Sequence, residues 1–388
     1  MSASGIAARL YRGEAGIDIV GRRKLWFTVA GIAIVIAVAS MLLRGFTLGI
    51  EFEGGNQYNV PVKVGTMEQV EKAFTDAGVS VKTGQTIGDS QYVIKTELIN
   101  DADRQYKIKE SVAKQFGIDV SQISDSAVST SWGGQVTNKA ALSLVIFLFA
   151  VLVYLIVRFE WRMAAAAIAS LLLDLVLTGG VYSLVGFEVT PSTVIGFLTI
   201  LGFALYDVVV VFDKVQENTR GITGSSTSTY AEAANLAVNQ TLMRSINTGL
   251  VALLPVGGLL FIGAGLLGAG TLKDLGLVLF IGMGLAVYSS IFFATPVLAE
   301  FKSREPRLQA HANRVQAKRA SQAKEQAVKA STVARDSDGV PIGESAKAAE
   351  RSELAGAAPR PGARPAARPG QGKRPRAGGR PGGAGGRR

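Results

Sequence analysis

The sequence predicts an α-helical polytopic membrane protein: six transmembrane helices, one α+β ferredoxin-like extracytoplasmic domain between the first two, and a disordered C-terminal tail. Three observations carry this reading. Six apolar runs are each long enough to cross the roughly 30 Å hydrocarbon layer at 1.5 Å per helical residue. A polar insert separates the first run from the second, from about residue 44 to residue 138. The net charge of +11 belongs to the end of the chain: residues 302–388 hold 20 Lys+Arg against 7 Asp+Glu, so residues 1–301 carry −2. The composition agrees, with 48% hydrophobic residues, 45 glycines and a mean hydropathy of +0.28. With no cysteine and one histidine, His311 in the polar tail, no disulfide framework and no cysteine- or histidine-built metal site is expected. No cofactor is expected either.

In chain order, a cytoplasmic segment over residues 1–24 leads into the spans, at about Leu25–Leu43, Ala140–Val157, Met163–Val185, Thr190–Phe212, Leu242–Leu267 and Leu275–Leu298. The first imitates a cleavable signal, because Arg22-Arg23-Lys24 precedes it and Ala37-Val38-Ala39 lies within it. Its apolar run continues to Leu43, too long for a signal core, so it reads as a retained anchor. Arg9, Arg12, Arg22, Arg23 and Lys24, then Arg158 and Arg162, then Lys214 and Arg220 all fall on one side, whereas the opposite connectors hold only Lys273. Basic short loops face the cytoplasm, which places both termini there, in the cell membrane, with a cytoplasmic loop at about 213–241. The tail over residues 302–388 is poor in large apolar side chains and rich in Pro, Gly, Ala and Arg, so it is expected to stay disordered. Its open roles are attraction to anionic lipid, contact with RNA, or a solvated spacer.

The insert alternates strand-like and helix-like segments. A strand at Gln57–Val62 leads to Thr66 and Gln69 at capping-box spacing, with Met67, Val70, Phe74 and Ala77 on one helical face. Strands at Val79–Ile87 and Tyr92–Ile99 join through Gly88-Asp89-Ser90, a helix follows near Asp103–Phe116, and a strand near Gln122–Val128 closes the unit. The order βαββαβ predicts a ferredoxin-like split. It holds no nucleophile–base pair, metal cluster or phosphate loop, so a lever or docking module is expected rather than an enzyme.

The chemistry lies in the membrane. An Asp at a helix centre costs roughly 2.5–3.5 kcal/mol, while each Leu, Ile, Val or Phe returns only roughly 0.3–0.6. Asp207 sits in such a helix, sharing a face with Gly196, Ile200 and Phe203, with the glycine permitting close approach of another helix. Asp174, with Ser170 and Thr178 at i−4 and i+4, lies near mid-bilayer in the third span. In the fifth, Gln240, Arg244, Asn247 and Thr248 form a polar stripe. Asp207 is about 9 Å above Asp213, at the depth of Arg244, and an Asp207–Arg244 ion pair is expected. Moving the guanidinium toward or away from the carboxylate would switch its proton affinity, as a proton-coupled cycle requires. A static clamp is the other reading of the same pair.

Four ordered motifs resemble one family. Leu48-Gly49-Ile50-Glu51-Phe52-Glu53-Gly54-Gly55 after the first span, Gly202–Asn218 in the fourth, Asn239-Gln240-Thr241-Leu242-Met243-Arg244 in the fifth, and Leu272-Lys273-Asp274-Leu275 with Tyr288-Ser289-Ser290-Ile291-Phe292 in the sixth are similar to the SecD/SecF family of the bacterial Sec export machinery, on its SecF side and of the actinobacterial type. The resemblance covers about residues 10–301. It implies half of an RND-type membrane fold and a translocase subunit that promotes late steps of protein secretion with the proton-motive force. Implied partners are SecD in a heterodimer, the SecYEG channel, YajC, unfolded polypeptide in transit and membrane lipid, and not nucleic acid. It implies Asp207 as proton carrier and Arg244 as its gating partner; Asp174 is read from its place in the third span as a further proton-coupling group, and Gly54, Gly55, Gly196, Gly202, Asp213, Asn247 and Asp274 as packing or structural positions. Glu51 replaces the usual Asp, read as a conservative change in a structural turn, and Leu173 stands where the family often has His, which argues against a His-assisted relay at Asp174. Two other classes stay open, half of a small-molecule exporter and a purely structural translocase subunit.

Overall fold

The computed structural model describes residues 16–88, 91–266 and 270–336. The first fifteen residues, part of the Gly88-Asp89-Ser90 turn and the tail beyond residue 336 lie outside the described residues. Among the described residues, six helices are long and apolar enough to cross a membrane. They are α1 (Arg23–Arg44), α5 (Thr130–Arg158), α6 (Trp161–Val185), α7 (Pro191–Thr219), α8 (Tyr230–Gly257) and α9 (Gly270–Ser289).

Small residues set how closely these helices pack. On α1 the buried residues are Ala30, Ala37 and Ser40, and they meet α6, where a Cβ on Gly180 would lie 2.2 Å from the Cβ of Ala37. Ser40 and Ser183 share a 3.0 Å hydroxyl hydrogen bond at the same seam. Gly196 of α7 admits Val278 of α9, and Gly282 of α9 admits Ile200 of α7, each to 2.1 Å of a built Cβ. Gly196→Val is accordingly expected to cost about 1–3 kcal/mol of stability by overpacking, measured by thermal unfolding in detergent. By contrast a Cβ built on Gly202 meets nothing within 4 Å among the described residues. The outward faces of α1 and α5 carry exposed Val35, Leu42, Val145, Phe149 and Val157, which only lipid or another apolar surface satisfies.

Two helices end in widened turns. Pro255 removes a backbone donor within α8, which continues as a π-helix over Gly258–Leu266. The helix after α9 passes through a second π-turn, Ser290–Ala294, before α10 (Thr295–Ser303).

An α+β unit, expected from the sequence to be the outer one, lies between α1 and α5 in the chain. It comprises β1 (Thr47–Leu48), α2 (Ile50–Glu53), β2 (Gly55–Pro61), α3 (Met67–Asp76), β3 (Val81–Ile87), β4 (Gln91–Thr96), α4 (Ala102–Phe116) and β5 (Ser124–Val128). Four strands form an antiparallel sheet in the order β3-β4-β2-β5. Thr66 and Gln69 exchange capping bonds at 3.1 and 3.4 Å and start α3; the Asp101 carboxylate accepts from the Asp103 amide at 2.9 Å and starts α4. Both helices bury one face on the sheet, Val70 and Phe74 from α3 and Ile108 and Val112 from α4, around Tyr58, Val60 and Ile94. Burial, with the Asp125 carboxylate as a smaller cause, pushes the Tyr58 phenol up to about 12.

Gly54 ends α2 with φ of 83°, in the left-handed half of the map, and its neighbour Gly55 starts β2 with a built Cβ only 2.5 Å from the Thr96 carbonyl. The outer unit is tied to the membrane part by a parallel two-strand ladder, β1 with β6 (Glu188–Val189), pairing Thr47 with Glu188 and Leu48 with Val189.

The described chain divides into two units between Arg319 and Ala320. The expectation of disorder from residue 302 is corrected here, because α11 runs over Pro306–Asp336. Pro306 occupies the first helical position, and the Ala, Gln, Lys, Arg and Glu that follow are strong helix formers. Within the first unit Leu308 is partly buried and His311 and Val315 are buried, an i, i+3, i+7 stripe inside the polar segment. The His311 Nε2 lies 2.7 Å from the Ser225 carbonyl, and Arg319 grips Glu232 through both carboxylate oxygens at 2.6 and 2.8 Å.

Candidate functional site

Asp207 lies on α7 one turn beyond Phe203, at the end of the stripe Gly196, Ile200, Phe203 that packs toward α9, and it is 2% exposed. Three helices converge on its carboxylate. The Ser245 hydroxyl from α8 donates to Oδ1 at 2.7 Å, and the Ser290 hydroxyl, at the start of the π-turn after α9, donates to Oδ2 at 2.5 Å. Both serines are fully buried. Neither was singled out as a site residue from sequence; the Ser289-Ser290 pair stood only inside a motif.

The expected Asp207–Arg244 ion pair is not formed. Arg244 is exposed, and its Nη2 donates to the Tyr206 hydroxyl at 3.4 Å. Depth was correctly matched, but azimuth decides contact: successive helical residues point about 100° apart. The buried face of α8 runs through Val238, Leu242, Ser245 and Gly249, so Ser245 meets Asp207 while Arg244, with Gln240 and Asn247, turns outward. Asn247 is exposed and Thr248 half-buried, so the polar stripe lies toward the surface of α8 among the described residues.

Asp174 on α6 is wholly buried, as are Ser170 and Thr178 beside it. Neither Asp174 oxygen has a hydrogen-bond partner among the described residues, nor has the Thr178 hydroxyl. The Ser170 hydroxyl donates to Ser289 at 3.4 Å. Adjacent serines of one turn thus face two regions, Ser289 toward the polar face of α6 and Ser290 toward Asp207, and a π-turn widens the helix where both sit. An unpartnered buried polar group costs about 1–3 kcal/mol. Asp174→Leu, of similar shape, is therefore expected to raise stability by about that amount, read by thermal unfolding; a destabilised variant contradicts the cost assigned to this carboxyl.

The remaining candidates lie at the two membrane faces. Asp213 pairs with Arg158 at 2.7 Å between the ends of α7 and α5. Asp274 lines a cavity of about 230 Å³ with Gln85, Glu188 and Lys273 at the junction with the outer unit. There Lys95 of β4 binds Glu188 at 2.6 Å with both side chains buried, Gln85 donates to the other Glu188 oxygen at 2.9 Å, and Glu51 stands 3.7 Å from the ammonium. Glu51 thus does more than shape a turn, since its side chain reaches the charge cluster that joins the two parts. Among the described residues no three His, Cys, Asp or Glu side chains cluster as metal ligands would.

Residues 107–304 match the family described as protein export membrane protein SecD/SecF, C-terminal. The chain is 45% identical over 377 residues to the protein translocase subunit SecF of Mycobacterium tuberculosis strain H37Rv, covering 92% of this chain and 85% of that one. It is 46% identical over 316 residues to the SecF subunit of Streptomyces coelicolor, covering 81% and 84%. Its fold is similar to the crystal structure of SecDF, a translocon-associated membrane protein from Thermus thermophilus, with a TM-score of 0.65 at 26% identity; the match covers 74% of this chain and 39% of that longer one.

Proposed function

From the premise that the chain belongs to the SecD/SecF family of protein-export membrane proteins, as an accessory subunit of the Sec translocase, we propose that it completes protein translocation with energy from the proton-motive force and that Asp207 binds the proton. The observation that carries this is a carboxylate buried where three membrane helices meet, held by two hydroxyls and by no cation of its own chain among the described residues. A group so placed changes its fit to α8 and to the π-turn when its charge changes. One proton falling through about 180 mV supplies on the order of 4 kcal/mol, enough to bias a two-state motion of the outer unit.

The SecDF proteins of Thermus thermophilus and Bacillus subtilis match this chain over only 36% and 38% of their own lengths. That supports SecD as the partner supplying the rest, and the outward Arg244 with Gln240 and Asn247 is the surface we assign to it. SecYEG, YajC, lipid and emerging polypeptide complete the expected set. The sheet order β3-β4-β2-β5 with two helices supports a ferredoxin-like outer domain that engages the polypeptide, and the distribution of Lys and Arg supports cytoplasmic termini. One feature favours the exporter reading, an apolar cavity of about 440 Å³ lined by Met41, Phe46, Phe52, Leu144 and Phe197. Thr137 is the one polar side chain among its lining residues, which leaves little to orient a substrate.

Inverted membrane vesicles test the proposal. An uncoupler is expected to slow completion of preprotein translocation in vesicles containing the chain with SecD and to have much less effect where both are missing. Equal inhibition in the two preparations overturns the motor reading, and altered drug export with unaltered secretion supports the exporter.

A further inference from the structure

Given Asp207 as the proton-binding group, a premise taken from its proposed function, the two oxygens of its carboxylate are not equivalent. Each accepts from one serine, and a serine hydroxyl has one proton to give and lone pairs to accept with. Ser245 has Oδ1 as its acceptor at 2.7 Å and no other among the described residues. Ser290 has two acceptors, Oδ2 at 2.5 Å and the Val287 carbonyl at 3.0 Å. The second is the back-bond that a helical serine makes to the carbonyl three residues earlier, as the neighbouring Ser289 makes to Ala286 at 3.1 Å.

Protonation makes this difference decisive. A carboxylic acid must donate from the oxygen that carries the proton. On Oδ1 that proton would point at the Ser245 hydrogen, and Ser245 holds no second acceptor among the described residues. On Oδ2 the conflict is relieved by rotating one hydroxyl: Ser290 turns its hydrogen to Val287 and accepts from the acid. Water is a poor substitute, since Asp207 is 2% exposed and Ser290 fully buried. Among the described residues, the titratable groups Tyr206 and Asp213 on α7, Arg244 on α8, Tyr288 on α9 and Asp174 on α6 make no hydrogen bond to Asp207, whose partners are Ser245 and Ser290.

We propose that Asp207 takes its proton on Oδ2 and that Ser290 is the positioning residue that serves both charge states, donating to the carboxylate and accepting from the acid. The step balances without an oxidant or reductant. A proton delivered from the aqueous phase leaves its hydronium oxygen and forms an O–H bond at Oδ2; the hydrogen bond between Ser290 and Oδ2 reverses as the Ser290 hydroxyl rotates, its hydrogen still on Oγ, to donate to the Val287 carbonyl. Ser245 donates to Oδ1 throughout.

The assignment is tested by pH-difference infrared spectroscopy on the chain assembled with SecD in membranes, the acid C=O band of Asp207 being the one that Asp207→Asn removes. With the proton on Oδ2, the C=O oxygen is Oδ1, so Ser245→Ala is expected to raise the band frequency more than Ser290→Ala. Ser290→Ala is expected to lower gradient-dependent translocation about tenfold, the loss of one strong hydrogen bond, and Ser290→Thr to restore most of it. A larger frequency rise in Ser290→Ala than in Ser245→Ala puts the proton on Oδ1 and overturns the assignment while leaving Asp207 as the proton site. Should Ser290→Ala fail to assemble, Ser245→Ala decides alone, an unmoved band overturning it. If Asp207→Asn removes no band, the proton-site reading fails and this one falls with it.

Discussion

Asp207→Asn is expected to abolish the gradient-dependent part of translocation while the chain stays assembled with SecD and within about 1 kcal/mol of its original stability. Asn has the shape of Asp, and its carbonyl oxygen accepts from Ser245 as Oδ1 does. Its amide then faces Ser290, which accepts from it once its own hydrogen turns to the Val287 carbonyl 3.0 Å away. The variant is thus a permanent copy of the protonated state, well packed and unable to release its charge. A locked state forfeits the full drive of the proton, on the order of 4 kcal/mol or about a thousandfold in a two-state ratio. Translocation in inverted vesicles with and without uncoupler measures the functional arm, and co-purification with SecD followed by thermal unfolding measures the structural one. Normal gradient dependence in an assembled variant reduces Asp207 to an interhelical clamp. Asp207→Leu separates the two contributions further, because it strands the Ser245 hydroxyl, while Ser290 keeps the Val287 carbonyl, and it is expected to lose stability as well.

The same residues show what the sequence made legible. Hydropathy placed all six spans because a run of apolar side chains has a thermodynamic reading independent of its neighbours. It placed their ends less well where a polar helix continues the span: α8 begins at Tyr230, twelve residues before Leu242, and the Thr229–Glu232 capping box that starts it was present in the sequence. The face of α7 bearing Gly196 and Asp207 was readable from helical period alone. Its partner was not, since choosing Ser245 over Arg244 needs the rotation of α8 about its own axis, a property of the assembled bundle. Nothing in Ser289-Ser290-Ile291 announces a π-turn, so two adjacent serines facing two carboxylate regions lay beyond sequence reasoning. The helix over residues 306–336 was concealed for a different reason: charge and low apolar content in the whole tail masked the Leu308, His311, Val315 stripe, which a local periodicity test would have found.

Lys95→Met is expected to be the most destabilising single change at the junction between the outer unit and the membrane helices, by about 3–5 kcal/mol. Lys95 and Glu188 are both less than a tenth exposed, at 8% and 4% of their side chains, and lie 2.6 Å apart. Taking two charges out of water is costly, and their attraction offsets that cost only while both are present. Removing the ammonium leaves the Glu188 carboxylate with the Gln85 amide as its remaining donor, beside Glu51 and Asp274, which repel it. Methionine keeps most of the lysine's length, so the loss reports charge and not a cavity. Adding Glu188→Gln to Lys95→Met is expected to recover more than half of the loss, because a neutral amide no longer needs the cation; the double-mutant cycle in thermal unfolding isolates that coupling. The position of Glu188 makes the pair mechanical as well as stabilising. Its backbone pairs with Thr47 in the β1–β6 ladder, one end of which follows α1 and the other follows α6. Under the proposed proton coupling, a displacement of α6 that carried Glu188 with it would reach β4 through this ion pair, and an outer unit lacking it should hold its fold while following the membrane helices less closely. Inter-label distances between β4 and the outer end of α6 should broaden in Lys95→Met and narrow again in the double variant; unchanged distances with a loss under about 1 kcal/mol would leave the β1–β6 ladder as the sole linkage.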